Sequence, residues 1–279
     1  MQETKINWTD STWNPLSGCQ AVSAGCKYCY AESLAENKRG TAAFPNGFEL
    51  TLRPWKLNEP RRLKQPSLVF TNSMSDLFQK EVPDDYRDKV FATIQAFPQH
   101  RFQVLTKRPE IARDYFRARD VPSNVWLGTT IEHQLTVKRA DILRDIDAPV
   151  RFISAEPLLG PIKIDLTEIH WVIGGGESGA HLSDKRIRQQ RAMVRLGDRS
   201  KGEPLWVPRD DRIEWARTLR DQCEDAGAAF WWKQWGGPRP ESGGRELDGR
   251  TWDELPTHVP SAMPPNYAGK VGRQLNVLY

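Results

Sequence analysis

Short apolar or β-branched runs recur along this chain at Leu68-Val69-Phe70-Thr71, Phe102-Gln103-Val104-Leu105, Val125-Trp126-Leu127-Gly128, Val150-Arg151-Phe152-Ile153, Trp171-Val172-Ile173 and Ala229-Phe230-Trp231-Trp232. Between several of them lie segments with apolar residues at helical spacing. One begins at Pro83-Asp84-Asp85 and carries Tyr86, Val90, Phe91, Ile94 and Phe97 on one side; a second runs from Leu135 to Ile146 and a third from Ile213 to Ala226. A helix that crosses over between two strands brings the chain back to the same end of the sheet, so such strands pair in parallel. With a first strand expected near Ile6 to Thr9 the runs number about seven. The expectation is an α/β fold, a parallel (β/α) barrel, complete or partial and TIM-like. At 279 residues, with nothing that reads as a linker, one such domain would span 1–279.

Each run leads into polar groups. Thr71 is followed by Asn72-Ser73-Met74-Ser75-Asp76, Leu105 by Thr106-Lys107-Arg108, Gly128 by Thr129-Thr130-Ile131-Glu132, Ile153 by Ser154-Ala155-Glu156, Ile173 by Gly174-Gly175-Gly176-Glu177-Ser178, and Trp232 by Lys233-Gln234-Trp235-Gly236. In a parallel barrel these ends share one face, where such proteins hold their sites. Helix capping alone explains isolated Ser, Thr or Asp residues, but explains less well the charges of Lys107, Glu132, Glu156, Glu177 and Lys233 at equivalent places. Lys107, Glu156, Glu177 and Lys233 are therefore the candidate catalytic side chains. In Gly174-Gly175-Gly176-Glu177 the glycines allow close backbone approach to a ligand, and the glutamate accepts hydrogen bonds from an ammonium or ribose hydroxyls; a tight structural turn is the alternative.

Three of the four cysteines, Cys19, Cys26 and Cys29, fall in one short loop, residues 13–30, whose Asn-Pro, Ser-Gly and Ala-Gly steps bend the backbone so that the thiols can converge. The two-residue spacing of Cys26 and Cys29 lets both sulfurs bind one metal ion or cluster, and Cys29 opens a helical segment from Tyr30 to Glu36. Three thiols are one short of a closed zinc site or an ordinary cubane cluster. Either a distant residue completes the set or one metal position stays open for a substrate or cofactor. Cys223 shares a helical face with Ala216, Leu219 and Ala226 and reads as core, and none of His100, His133, His170, His181 and His258 stands at ligand spacing to the loop. An iron–sulfur cluster with an open iron, a zinc ion, and thiols holding neither all stay open.

The Cys-x6-Cys-x2-Cys spacing, with Tyr28 just before the last cysteine, resembles that of the radical S-adenosylmethionine (SAM) enzymes, whose usual first interval is shorter. Most of residues 6 to 256 resembles a phage-associated, radical-SAM-like family of unassigned function, in Trp13-Asn14-Pro15 through Tyr30, Gly174 through Gly179, Lys233-Gln234-Trp235-Gly236, and Leu247-Asp248-Gly249-Arg250 with Trp252. The resemblance implies a 4Fe-4S cluster on Cys19, Cys26 and Cys29, SAM at its open iron, and an electron donor. It also implies a SAM-binding role for Gly174, Gly175, Gly176 and Glu177, although the family's Gly-Gly-Glu motif follows the second strand and this one follows about the sixth. After the second run stand Ser73, Ser75 and Asp76 as further SAM-binding candidates. The competing classes are a zinc-stabilised nucleic-acid-binding module without catalysis, and a zinc hydrolase whose open metal position activates water.

Residues 180 to 208 interrupt the rhythm. Lys185, Arg186, Arg188, Arg191 and Arg195 crowd a helix-compatible segment, followed by Arg199 and Lys201. A solvated helix face is one reading; the other is a phosphate-binding insertion for DNA or RNA, with Trp206 and Trp235 placed to stack on a base. The net charge of +4 permits a nucleic-acid partner without requiring one. Residues 38 to 66 read as a long loop with short pieces of structure, and about 237 to 279 as a C-terminal lid or tail. No apolar run reaches the ~18 residues of a membrane span and the start lacks a secretory layout, so the expected place is the cytoplasm, where three thiols in one loop argue for metal or redox chemistry.

Overall fold

The structure, a computed structural model, describes residues 2–271. Its strands are β1 (Gln2–Glu3), β2 (Ser11–Trp13), β3 (Leu16–Ser17), β4 (Thr51–Leu52), β5 (Leu68–Thr71), β6 (Arg101–Thr106), β7 (Val125–Thr130), β8 (Val150–Ala155), β9 (Trp171–Gly175), β10 (Val194–Leu196), β11 (Trp206–Pro208) and β12 (Ala229–Gln234). The α-helices are α1 (Tyr30–Glu36), α2 (Asp84–Gln95), α3 (Pro109–Phe116), α4 (Lys138–Arg144), α5 (Lys185–Arg191) and α6 (Asp210–Ala226). The main sheet has the order β1-β2-β5-β6-β7-β8-β9-β12, with β2·β5, β5·β6, β6·β7 and β9·β12 parallel and β1 an antiparallel edge. Seven strands in chain order, with helices between several of them, make the class α/β, a partial, TIM-like (β/α) arrangement. All six apolar runs are strands, each extended by up to two residues. The first parallel strand is Ser11–Trp13 rather than Ile6–Thr9, because the Asp10 carboxylate accepts the Leu68 N–H (2.8 Å) and Ser11 is the first residue in register with β5, opposite Val69.

The chain forms two compact units. The first comprises residues 1–129, 141–152 and 256–279. It holds β1 to β7, the start of β8, and helices α1 to α3. Leu68, Val104, Val125 and Leu127 of the strands and Val90 and Ile94 of α2 are all fully buried in it. Phe78, Phe91, Tyr115 and Phe116 join α2 to α3 through ring centroids 5.0–6.2 Å apart. The described part of the C-terminal tail that belongs to this unit is tied down: Arg101 donates to the carbonyls of Ser261 and Ala262, Trp126 Nε1 to Ala262 O (3.0 Å), and Tyr267 OH to Asp10 (2.8 Å). Residues 272–279 of the expected tail lie outside the described residues.

The second unit comprises residues 130–140 and 153–255. It holds the end of β8 with β9 and β12, the helices α5 and α6, and the ribbon β10–β11. Trp171, Val172, Ile173, Phe230, Trp231 and Trp232 are fully or almost fully buried, and α6 covers the sheet with Ala216, Leu219 and Cys223. Cys223 is the core residue its helical spacing suggested, and burial drives its thiol pKa far up. The expected insertion is a single turn of 3₁₀ helix, Ala180–Ser183, then α5, then the ribbon, in which Leu196 pairs with Trp206. Among the described residues no helix is long and apolar enough to cross a membrane.

His100 is wholly buried in the first unit between Phe97 and Phe102, and among the described residues neither ring nitrogen has a hydrogen-bond partner. Burial holds its pKa below the ordinary 6.5. The unfolded chain therefore takes up a proton more readily than the folded one, so this contribution to stability is complete above about pH 6.5 and is lost as pH falls below it. His100→Phe is expected to flatten the decline in melting temperature between about pH 7 and pH 5; unchanged parallel profiles would contradict this.

Candidate functional site

In the first unit the loop that carries the thiols is pinned at its entry. Gly18 has φ +89°, and a Cβ there would lie 2.2 Å from Glu49 O, so only glycine fits. Its N–H donates to Met74 O (3.0 Å), which locks the loop to the segment after β5. Asn14 adds side-chain bonds to Ser73 Oγ and the Met74 N–H, and Tyr30 OH donates to Ser73 O (2.5 Å). Cys19, Cys26 and Cys29 are all half-buried. A short 3₁₀ turn, Ala24–Cys26, passes directly into Cys29 through a Cys29 N–H to Cys26 O bond (3.2 Å). Cys26 Sγ accepts the Val22 N–H (3.5 Å) and lies 3.9 Å from Ser23 Oγ, while Cys29 packs on the cluster of Ala31, Ala35, Phe44 and Met74.

Cys19 meets a buried charged hub. Arg108 Nη1 lies 3.6 Å from Cys19 Sγ and 2.9 Å from Asp76 Oδ2, and Arg108 Nη2 donates to Gln20 O (2.8 Å). Burial pushes the Cys19 thiol up to about 11; Asp76 adds to the rise, Arg108 opposes it, and Cys26 adds a little more. Among the described residues no group of three or more His, Cys, Asp or Glu side chains stands gathered as a metal site, so a metal ion or cluster on all three sulfurs would require them to converge. The donor chemistry fits an iron–sulfur group: three thiols on one loop, a peptide N–H on one sulfur and a guanidinium on another.

Asp76, a candidate for SAM binding, is the acidic member of that hub. Its carboxylate accepts Thr106 Oγ1 (2.7 Å), the N–H groups of Phe78 (2.9 Å) and Lys107 (3.0 Å), and Arg108, which uses the lone pairs it has. Ser75 Oγ donates to Leu16 O (3.1 Å) and accepts from Asn72, and Ser73 is bonded to Asn14, so all three candidates brace the loop. Lys107 is half-buried, and its backbone is what reaches Asp76. Arg108 and Gln79, whose side chain accepts the Gln20 N–H at 2.9 Å, escaped the sequence reading. Arg108 does stand in the polar Thr106-Lys107-Arg108 end of β6, which was the available signal.

In the second unit, Lys233 Nζ and Glu156 Oε1 pair at 2.9 Å from the ends of β12 and β8, with Ser154 Oγ 3.5 Å from Glu156 Oε2. Gly175 lies between them in the sheet order, and a Cβ there would meet Glu156 Oε1 at 3.0 Å. The other two glycines have a packing reason. A Cβ on Gly174 would meet the Trp232 ring at 2.9 Å, and one on Gly176 would lie 2.1 Å from Trp235 O. The Gly176 N–H donates to Gln234 O (2.8 Å), not outward. Glu177, buried, receives both arms of Arg191 at 2.6 Å each and has His181 Nε2 at 3.4 Å.

This divides the expected cationic patch. Arg191 is committed to Glu177; Arg195 pairs with Glu203 (2.8 Å) and holds that carboxyl down at about 2; Arg188 donates to the carbonyls of Leu182 and Ser183 and lies over the Trp206 ring (5.3 Å). Lys185, Arg186, Arg199 and Lys201 remain exposed. Trp235 is buried, 4.8 Å from the Trp232 ring centroid, with Nε1 donating to Glu246 O, so it is no stacking platform.

The fold and site define an α/β protein with parallel strands and a three-thiol loop seated on a buried aspartate–arginine hub. The chain belongs to the family described as Protein of unknown function (DUF5131), whose model matches residues 3–203 and 202–256. No curated protein matches it. Similar solved structures include a mutant of spore photoproduct lyase, 12% identical with TM-score 0.48 over 82% of this chain and 77% of that one. A second mutant, with bound AdoMet and dinucleoside spore photoproduct, is 12% identical with TM-score 0.46 over 78% and 74%. Spore photoproduct lyase complexed with the dinucleoside is 11% identical with TM-score 0.44 over 77% and 73%.

Proposed function

We propose that this protein is a radical SAM-type enzyme, cytoplasmic and of a phage-associated family, in which Cys19, Cys26 and Cys29 hold a 4Fe-4S cluster and leave one iron for SAM. The observation that carries the reading is the donor set: three half-buried thiols on one pinned loop, with Cys223 sealed in the core. When bound and reduced by an electron donor, such a cluster supplies one-electron cleavage of SAM and thereby hydrogen-atom removal from a substrate. The chain's own part is placement. Asp76, Ser73 and Ser75 fix the loop, Lys107 presents a cation at the end of β6, and the Lys233–Glu156 pair beside Gly175 offers a donor and an acceptor to a polar ligand. Gly174 to Gly176 and Glu177, at the end of β9 beside that pair, complete the set that would face SAM. Reduced, anaerobically prepared protein is expected to convert SAM to 5′-deoxyadenosine, and Lys233→Ala to lower that yield at least about tenfold with iron content unchanged. Full iron with no product would reject the function.

The substrate class in this reading is nucleic acid, in a modification or repair reaction. The support is the exposed set Lys185, Arg186, Arg199 and Lys201 on α5 and near the ribbon, beside the half-buried Trp206. Changing Lys185, Arg186 and Arg199 together to Ala is expected to flatten the salt dependence of duplex DNA binding, by about 0.9 in log–log slope for each phosphate left without its cation. An unaltered slope, or a parent that binds neither DNA nor RNA, would send the search to smaller substrates.

A further inference from the structure

Arg108 is held by Thr106 at the end of β6 and by Asp76, which follows β5. Its backbone N–H donates to Thr106 Oγ1 (2.9 Å), Thr106 Oγ1 donates to Asp76 Oδ1 (2.7 Å), and Asp76 in turn grips the guanidinium (2.9 Å). The guanidinium is buried, and its two remaining contacts reach the thiol loop: Gln20 O at 2.8 Å and Cys19 Sγ at 3.6 Å. A planar fork can hold a carboxylate, a carbonyl and a sulfur at once, whereas an ammonium on a flexible stem cannot reach all three. Among the described residues Cys19 is the loop thiol with a guanidinium partner; Cys26 has a peptide N–H and a neighbouring hydroxyl.

We propose that Arg108 is the positioning residue of the thiol loop. It holds Cys19 Sγ in place through a charged hydrogen bond, transmits the rigidity of β6 to the loop, and raises the reduction potential of the iron group that the loop carries. The proposal rests on the radical SAM reading. The physical ground is that a cationic donor on a thiolate ligand stabilises the more negative, reduced state, and that donors behind a ligand govern how firmly it holds metal. Asp76 supports the metal through Arg108, with no contact to a sulfur of its own required.

The experiment uses the whole chain, anaerobically prepared, as parent, Arg108→Lys and Arg108→Gln. Three quantities are read: the midpoint potential of the iron group by dye-mediated titration, the rate of iron loss to EDTA, and the melting temperature. Arg108→Lys keeps a charge for Asp76 and is expected to melt near the parent, with a more negative potential and iron lost about tenfold faster. Arg108→Gln should go further in both. If Arg108→Gln does not fold, Arg108→Lys alone decides. A parent without iron rejects the radical SAM reading and the proposal with it. A parent with iron, and folded variants that keep its potential and its rate of iron loss, overturns the role of Arg108 alone.

Discussion

Alanine at Cys19, Cys26 or Cys29 is expected to strip the iron from anaerobically prepared protein and abolish its brown colour, while Cys223→Ala keeps both. Three thiols are the whole protein-supplied set in this account, so losing one leaves two, too few to retain a cluster whose fourth iron is meant to stay open. Cys223 sits fully buried on α6, and its loss should appear only as a packing defect of about 1–3 kcal/mol. Cys29 also packs on Ala31, Ala35, Phe44 and Met74, so Cys29→Ser serves as a second variant at that position. Iron retained in the Cys19 and Cys26 variants would refute the ligand assignment.

Arg191→Ala is expected to cost about 3–5 kcal/mol, read from urea unfolding above about pH 8, because it leaves the Glu177 carboxylate buried with a neutral His181 imidazole 3.4 Å away in place of a guanidinium. Both oxygens of Glu177 are held at 2.6 Å by one guanidinium, and the pair joins the segment after β9 to the end of α5. Replacing both partners by apolar residues of similar volume should cost much less, since no charge is then stranded. A loss below about 1 kcal/mol in the single variant would mean that the pair behaves like an exposed one. It would also free Arg191 for the phosphate-binding role that its position among Lys185, Arg186 and Arg188 suggested.

The strands were legible because each is a short apolar run closed by polar groups, and burial of these runs in the sheet is what that pattern encodes. The first strand was not. Ser11-Thr12-Trp13 carries little apolar signal and is held by backbone pairing with Val69, Phe70 and Thr71. Helix α3 was missed although Pro109 stands at its first turn and Glu110 follows, since eight residues give too little periodicity. The thiol loop was legible because its three cysteines are close in sequence. What supports it was not, for Cys19 and Arg108 are 89 residues apart and no pattern links them. The same holds for Gly174 and Gly176: a run of glycines reads as a ligand cradle, but close approach of Trp232 and of the Trp235 backbone is what the fold demands there. Arg191 looked free because its acidic partner, Glu177, lies 14 positions away in another element.

The most direct measurement is the iron, sulfide and zinc content of the parent protein purified without oxygen. About four irons and about four sulfides per chain, with no stoichiometric zinc, are expected. One zinc per chain without iron would contradict this and would leave the loop as a structural or hydrolytic zinc site.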